Sequence, residues 1–113
     1  MIFLAVPLTP STDKLVNENL VRKMSAPRYI INVSRGQVID EPNLFRLLDD
    51  GTIEGLGLDV FHEEPVRLSQ LPKNLSRVAL SSHNASNTRR SIGLANREVD
   101  QIIANYLCSQ VSQ

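Results

Sequence analysis

Residues 29–60 read YIINVSRGQVIDEPNLFRLLDDGTIEGLGLDV, and this stretch decides the fold. It opens on a β-rich run, Tyr29-Ile30-Ile31-Asn32-Val33, closed by Gly36. Asp40 then offers an N-cap, and Pro42 falls in a first helical turn, where a missing N–H costs little. Leu44, Leu47 and Leu48 recur at helical steps, and Gly51 suits the position just past a helix end. Gly55-Leu56-Gly57-Leu58-Asp59-Val60 reads as the next strand. Strand, helix, strand over roughly thirty residues is a βαβ unit, with parallel strands and a right-handed crossover.

The same alternation extends both ways. Residues 2–6 are a continuous apolar run, as expected of a parallel strand covered on both faces, and Pro7, Pro10 and Ser11 end it. A helix is predicted over 17–25, with Leu20, Val21 and Met24 on one face and Pro27 as its stop. Downstream, 62–76 is a polar, proline-containing loop and Val78-Ala79-Leu80 a short fourth strand. A long helix is predicted from Ser86 to Leu107, where Ile92, Ala95, Val99, Ile102, Ile103 and Tyr106 recur at three- and four-residue steps. The fold class is therefore α/β, a parallel sheet with flanking helices.

Bulk properties exclude several functions. The 113 residues suffice for one domain or a piece of one, and 42% apolar with 21% charged residues is ordinary for a soluble globular chain. Net charge is zero, so nothing favours nucleic acid or an acidic membrane as a partner. Cys108 is the single cysteine and cannot form an internal disulfide. The apolar start lacks a basic n-region and is too short for a signal peptide or a membrane span. A cytoplasmic location is expected, and no metal site.

In open α/β sheets, ligands bind outside the carboxyl ends of the strands. The residues there are Pro7-Leu8-Thr9, Ser34-Arg35-Gly36, Asp59 to Glu64, and Ser82-His83-Asn84. An arginine, three carboxylates (Asp59, Glu63, Glu64) and a histidine thus fall on one rim. Residue type alone leaves plain alternatives: a surface ion pair for Arg35, a structural histidine at His83, a turn aspartate at Asp59, and at Ser86 the N-cap of the last helix.

These segments resemble the D-isomer-specific 2-hydroxyacid dehydrogenase family. The matches are Val6-Pro7-Leu8-Thr9-Pro10-Ser11-Thr12; Ile31-Asn32-Val33-Ser34-Arg35-Gly36 with Val38-Ile39-Asp40-Glu41; Gly57-Leu58-Asp59-Val60-Phe61 with Glu64-Pro65; and His83-Asn84-Ala85-Ser86. Four in family order at compatible spacing form a specific signal. Ser81-Ser82 departs from the more usual Thr-Pro. The resemblance implies the carboxyl-terminal portion, residues 1–113, of a Rossmann-like, doubly wound dinucleotide-binding domain. It implies a catalytic set of Arg35, Glu64 and His83. Arg35 would grip a keto-acid carboxylate with its planar fork. His83 would move the proton at the reacting oxygen, and Glu64 would fix its tautomer and favour the imidazolium. Glu64 rather than Glu63 is chosen because it directly precedes the proline, and His62 is read as solvent-facing. Val6, Pro7, Val33, Ser34, Arg35, Asp59, His83, Ala85 and Ser86 would line the site of NAD or NADP. A homodimer is implied for the full-length parent.

Gly36, Gly51, Gly55, Gly57 and Gly93 are the five glycines, and none gives a Gly-x-Gly-x-x-Gly loop. The domain is therefore expected to be incomplete here, lacking that loop and the substrate domain, with an open, apolar edge at its first strand. Two functions follow: an NAD(P)-dependent oxidoreductase of D-2-hydroxy acids, or a non-catalytic truncated product or interaction module that keeps the fold.

Overall fold

The structure, a computed structural model, describes residues 1–111. The chain forms two units, Met1–His83 and Asn84–Gln113. The first holds strands β1 (Ile2–Leu4), β2 (Tyr29–Asn32), β3 (Gly55–Leu58) and β4 (Val78–Leu80), with helices α1 (Glu18–Lys23) and α2 (Glu41–Asp49). All strand pairs are parallel, in the order β1-β2-β3-β4.

Register decides what is buried. Ile2, Ile30, Leu56 and Val78 form one row across the sheet, and Leu4, Asn32, Leu58 and Leu80 another. Side chains alternate faces along a strand, so both rows point the same way. Their face meets Val21 of α1 and Leu44, Leu47 and Leu48 of α2 in one apolar core. The intervening row, Phe3, Ile31, Gly57 and Ala79, points away from it. The expectation that residues 2–6 are covered on both faces is corrected: Phe3 is 60% exposed. The strands step in one direction across the sheet, so right-handed crossovers bring α1 and α2 to the same face. β1 is an edge strand of this unit with an exposed apolar side chain, as the sequence suggested.

The helix boundaries have local causes. Asn17 caps α1 by accepting from the Leu20 N–H at 3.2 Å. Asp40 occupies the N-cap of α2, but its carboxylate accepts from the Asn43 side chain (2.7 Å) instead of capping. Gly51 takes a φ of 84° just past α2, a left-handed conformation that favours glycine. Arg77 donates to the carbonyls of Leu48 (2.5 Å) and Ile53 (3.3 Å), tying the entry of β4 to the end of α2. The 62–76 loop contains a short 3₁₀ turn at Leu68–Gln70, and a second, Leu75–Arg77, leads from it into β4. β1 and β3 stop two residues earlier than expected, because the chain leaves the ladder for the functional loops.

The second unit is dominated by α3 (Arg89–Val111), which begins three residues later than expected. The cap is Thr88, not Ser86: the Thr88 hydroxyl accepts from the Ser91 N–H (3.1 Å), and its carbonyl accepts the Ile92 N–H. Ser86 instead contributes its carbonyl to the preceding turn. The expected stripe of Ile92, Ala95, Val99, Ile102, Ile103 and Tyr106 lies on α3 and is exposed. Among the described residues, no helix is long and apolar enough to cross a membrane.

Truncating Leu47 to Ala, at a fully buried position, should cost about 2–5 kcal/mol, and Ile30→Val about 1 kcal/mol. Ile102→Ala on the exposed stripe should stay within about 0.5 kcal/mol. Urea unfolding of the three variants measures the contrast.

Candidate functional site

Three loops leave the carboxyl ends of β2, β3 and β4 and carry Arg35, Glu64 and His83 respectively. A fourth, after β1, supports them. In it, the Thr12 hydroxyl donates to the Pro7 carbonyl (2.8 Å), and the Thr12 and Asp13 N–H groups both reach the Thr9 carbonyl. This hydroxyl-locked turn delivers Val16 to a parallel bridge with Ile39. The Lys14 N–H to the Gln37 carbonyl, and Val16 N–H to that of Val38, complete the pairing. The Arg35 loop is thereby held along its downstream side.

Its upstream side is held by Asn32, which is fully buried at the end of β2. The Asn32 side-chain oxygen accepts from both the backbone N–H (3.0 Å) and the hydroxyl (2.7 Å) of Ser34. Its amide donates to the Arg35 carbonyl (2.9 Å). The Arg35 guanidinium is exposed and gives one N–H to the Ser34 carbonyl (2.7 Å). Arg35 with Val6, Pro7, Val33 and Ser34 lines a cleft of about 490 Å³ at the ends of β1 and β2.

The Glu64 loop packs directly on the Arg35 loop. A Cβ at Gly36 would lie 2.0 Å from the Phe61 carbonyl carbon and oxygen and 2.3 Å from the His62 nitrogen. Only a residue without a side chain permits that approach. The Glu64 carboxylate accepts from the Phe61 N–H (3.0 Å) with one oxygen and pairs with His83 Nδ1 (2.8 Å) through the other. Glu64, rather than Glu63, is therefore the partner of His83. Glu63 accepts from the Gln70 amide instead (2.5 Å). His62 is exposed and lines a different cleft, beside Lys14 and Glu63.

Asp59 is buried at the end of β3 and accepts a hydrogen bond from the Ser81 hydroxyl. Serine at 81 thus keeps a hydroxyl where the family pattern has threonine. Asp59, Glu64 and His83 line one cleft of about 360 Å³. His83 itself adopts a φ of 55°, a left-handed conformation uncommon outside glycine and one that gathers at functional positions. Ala85 and Ser86 lie in the turn that opens the second unit.

The electrostatics follow from these contacts. The hydrogen bond from His83, then that from the Phe61 N–H, hold the Glu64 carboxyl below its ordinary value, against some desolvation and the Asp59 charge. Glu41 moves the other way: burial raises its carboxyl, and the His62 N–H on its oxygen offsets part of that. Among the residues missed by sequence reasoning, Asn32 and Glu41 matter most. Each is a polar residue buried beside the functional loops, a signal that only burial reveals.

A family model described as "D-isomer specific 2-hydroxyacid dehydrogenase, NAD binding domain" matches residues 1–85. A glyoxylate reductase of Pyrococcus horikoshii is 44% identical over 85 residues, 75% of this chain and 25% of that protein. The glyoxylate/hydroxypyruvate reductase B of Erwinia tasmaniensis is 37% identical over 102 residues, 89% of this chain and 32% of that protein. Among solved structures, the D-lactate dehydrogenase of Aquifex aeolicus, complexed with NAD and lactic acid, is similar with a TM-score of 0.76 and 27% identity, covering 98% of this chain and 38% of its own. An NADPH-dependent glyoxylate/hydroxypyruvate reductase of Sinorhizobium meliloti, in complex with NADP and sulfate, gives 0.82 and 27%, covering 95% and 35%. The chain spans between about a quarter and two fifths of the length of these relatives.

Two outcomes test this geometry. Gly36→Ala must displace backbone, not a flexible side chain, so it should destabilise the fold by about 3 kcal/mol, at the upper end of overpacking; thermal and urea unfolding read it. His83→Ala should bring the Glu64 carboxyl up toward its ordinary range, followed by ¹³C NMR titration. Because its folded value lies below the unfolded one, the stability contributed by Glu64 is present at neutral pH and lost as pH falls through the folded value. In His83→Ala that loss should be smaller.

Proposed function

The chain belongs to the D-isomer specific 2-hydroxyacid dehydrogenase family, within its NAD-binding domain, and we propose that it is the carboxyl-terminal portion of that domain in an NAD(P)-dependent oxidoreductase of D-2-hydroxy and 2-keto acids. The observation that carries this reading is the 2.8 Å pair between His83 Nδ1 and Glu64, at the carboxyl ends of parallel strands whose neighbouring loop presents Arg35.

The roles follow from the chemistry of the side chains. With Glu64 on Nδ1, the imidazole keeps Nε2 for proton traffic, and its tautomer is set. In the reductive direction His83 gives a proton to the carbonyl oxygen of the 2-keto acid. In the oxidative direction it takes one from the hydroxyl. Glu64 stabilises the imidazolium and stays ionised itself, consistent with its lowered carboxyl. Arg35 uses one N–H on the Ser34 carbonyl and has four more for a two-pronged contact with the substrate carboxylate.

NAD(P), when bound, supplies or accepts the hydride. The residues present suit its nicotinamide end: the roughly 490 Å³ cleft lined by Val6, Pro7, Val33, Ser34 and Arg35 falls in the size range of ligand sites and lies where open α/β sheets bind them. Asp59, held by Ser81, would meet the nicotinamide end of the cofactor. Glyoxylate or hydroxypyruvate is the substrate type favoured by the similarity to the glyoxylate and glyoxylate/hydroxypyruvate reductases.

A chimera tests the reading: residues 1–85 of this chain exchanged for the matching segment of the Pyrococcus horikoshii glyoxylate reductase. The chimera should reduce glyoxylate with NADH or NADPH. His83→Ala in it should lower kcat by about 10²–10⁴-fold. Arg35→Lys keeps the charge but loses the fork, so kcat/KM should fall despite the conservative change. A folded chimera that binds the cofactor yet turns over nothing, or turnover indifferent to His83→Ala, would overturn the assignment.

A further inference from the structure

Glu41 is the first residue of α2, and the residue is buried, 8% exposed. A carboxylate at a helix start ordinarily stays in water and benefits from the helix dipole. This one turns inward, and one of its oxygens accepts the His62 N–H at 2.8 Å. The other side of the same residue is also held, since the Gln37 amide donates to the His62 carbonyl (3.3 Å). Gly36 presses on the adjoining Phe61–His62 peptide. Two residues on, Glu64 closes the turn by accepting the Phe61 N–H and extends to His83.

We propose that Glu41 is a positioning residue for the acid–base pair: by anchoring the His62 peptide it fixes the Phe61–Glu64 turn and so holds Glu64 against His83. This rests on the reading of Glu64 and His83 as that pair. Burying a carboxyl is costly unless a hydrogen bond compensates, so a buried Glu41 satisfied by a loop N–H is a specific arrangement rather than a solvated surface acid. Its lifted pKa agrees with that burial. The charged and titratable groups around the turn are His62, Glu63, Asp59 and His83, with Lys14 and Asp40 along the cleft beside Glu41.

The pH titration of the Glu64 carboxyl, read by ¹³C NMR on the full 113-residue chain, tests this directly. Glu41→Leu removes the acceptor, and with it a carboxyl that is largely protonated in the range where Glu64 titrates, so little repulsion is lost. Loss of repulsion would lower the Glu64 value or leave it unmoved, whereas a slackened turn raises it toward the ordinary range, because its hydrogen bonds to Phe61 and His83 are what depress it. The expected shift is upward. Glu41→Asp keeps the charge but is one methylene too short for the His62 N–H, and should also shift Glu64 upward. Glu41→Gln keeps an acceptor oxygen at full reach and should leave Glu64 depressed. A purely structural Glu41 would change unfolding stability in all three without moving Glu64 in the folded protein. Wild-type titration in Glu41→Leu and Glu41→Asp would overturn the proposal, and should Glu41→Leu not fold, Glu41→Asp decides alone. The His83→Ala control separates the two claims: if it fails to raise the Glu64 value, the acid–base pair itself is misread. If it raises the value while the Glu41 variants do not, only the positioning role falls.

Discussion

Gly36 meets the Phe61–His62 peptide so closely that no side chain fits between them. That contact joins the loop after β2 to the loop after β3, and the rest of the candidate site depends on it. Arg35 precedes the glycine by one residue, and Glu64 follows the contacted peptide by two. A glycine in such a place serves close backbone approach more than flexibility, since the flanking segments are pinned elsewhere. Asn32 fixes the start of the Arg35 loop, the Val16–Ile39 bridge its end, and Glu64 closes its own turn. Two loops that would each be mobile alone become one backbone unit with side chains on its rim. Such support fits the demand that reacting groups be held to within fractions of an ångström.

The two carboxylates beside this contact are pushed in opposite directions by their surroundings. Glu64, more than a third exposed, is depressed by hydrogen bonds; Glu41, buried, is raised by desolvation. Their pH dependences therefore oppose one another. The contribution of Glu64 is present at neutral pH and lost as pH falls through its lowered folded value. That of Glu41 is complete in acid and lost as pH rises through its raised folded value. An exposed pair exchanges energy with solvent and is individually weak, so its value lies in orientation: the hydrogen bond sets which imidazole nitrogen is occupied. The buried acid, in contrast, acts through geometry in either protonation state, because a protonated carboxyl still has an oxygen to accept the His62 N–H.

Periodicity alone was enough for the parallel sheet. The apolar run at 2–6, the leucines of α2 and the Gly51 terminator each report one local physical demand, and the four strands and long helix appear in the expected order with ends shifted by two or three residues. The partner of His83 was also recoverable, since the residue before Pro65 could be told from its neighbour by resemblance, and the structure pairs Glu64, not Glu63, with the imidazole. What escaped were other features decided by tertiary contact. Asn32 sits in a strand pattern whose polar letter carries no sign that it organises the next loop. Glu41 looks like an ordinary first-turn acid, favourable to any helix. Ser86 and Thr88 are both good caps by type, and the choice fell to Thr88 because the chain makes a tight turn through Asn84–Asn87 before the helix can start. Coverage of β1 was misjudged for a similar reason: an apolar run announces burial but not how many faces are packed.

The polar groups on the strand ends share a further property. Among the described residues, no buried side-chain nitrogen or oxygen lacks a hydrogen-bond partner. Asn32, Ser34, Glu41 and Asp59 are all buried at or near the rim, and each is satisfied by backbone or by another side chain. An unsatisfied group at any of these positions would favour local rearrangement by about 1–3 kcal/mol, enough to let a loop sample other conformations. Satisfaction removes that incentive. Arg35, Glu64 and His83 are exposed at the rim, while Asn32 and Glu41, whose hydrogen bonds reach the loops that carry Arg35 and Glu64, are withdrawn beneath it. Family resemblance singles out Arg35, Glu64 and His83, whereas the contacts made by Asn32 and Glu41 emerge only when each buried polar atom is traced to its partner.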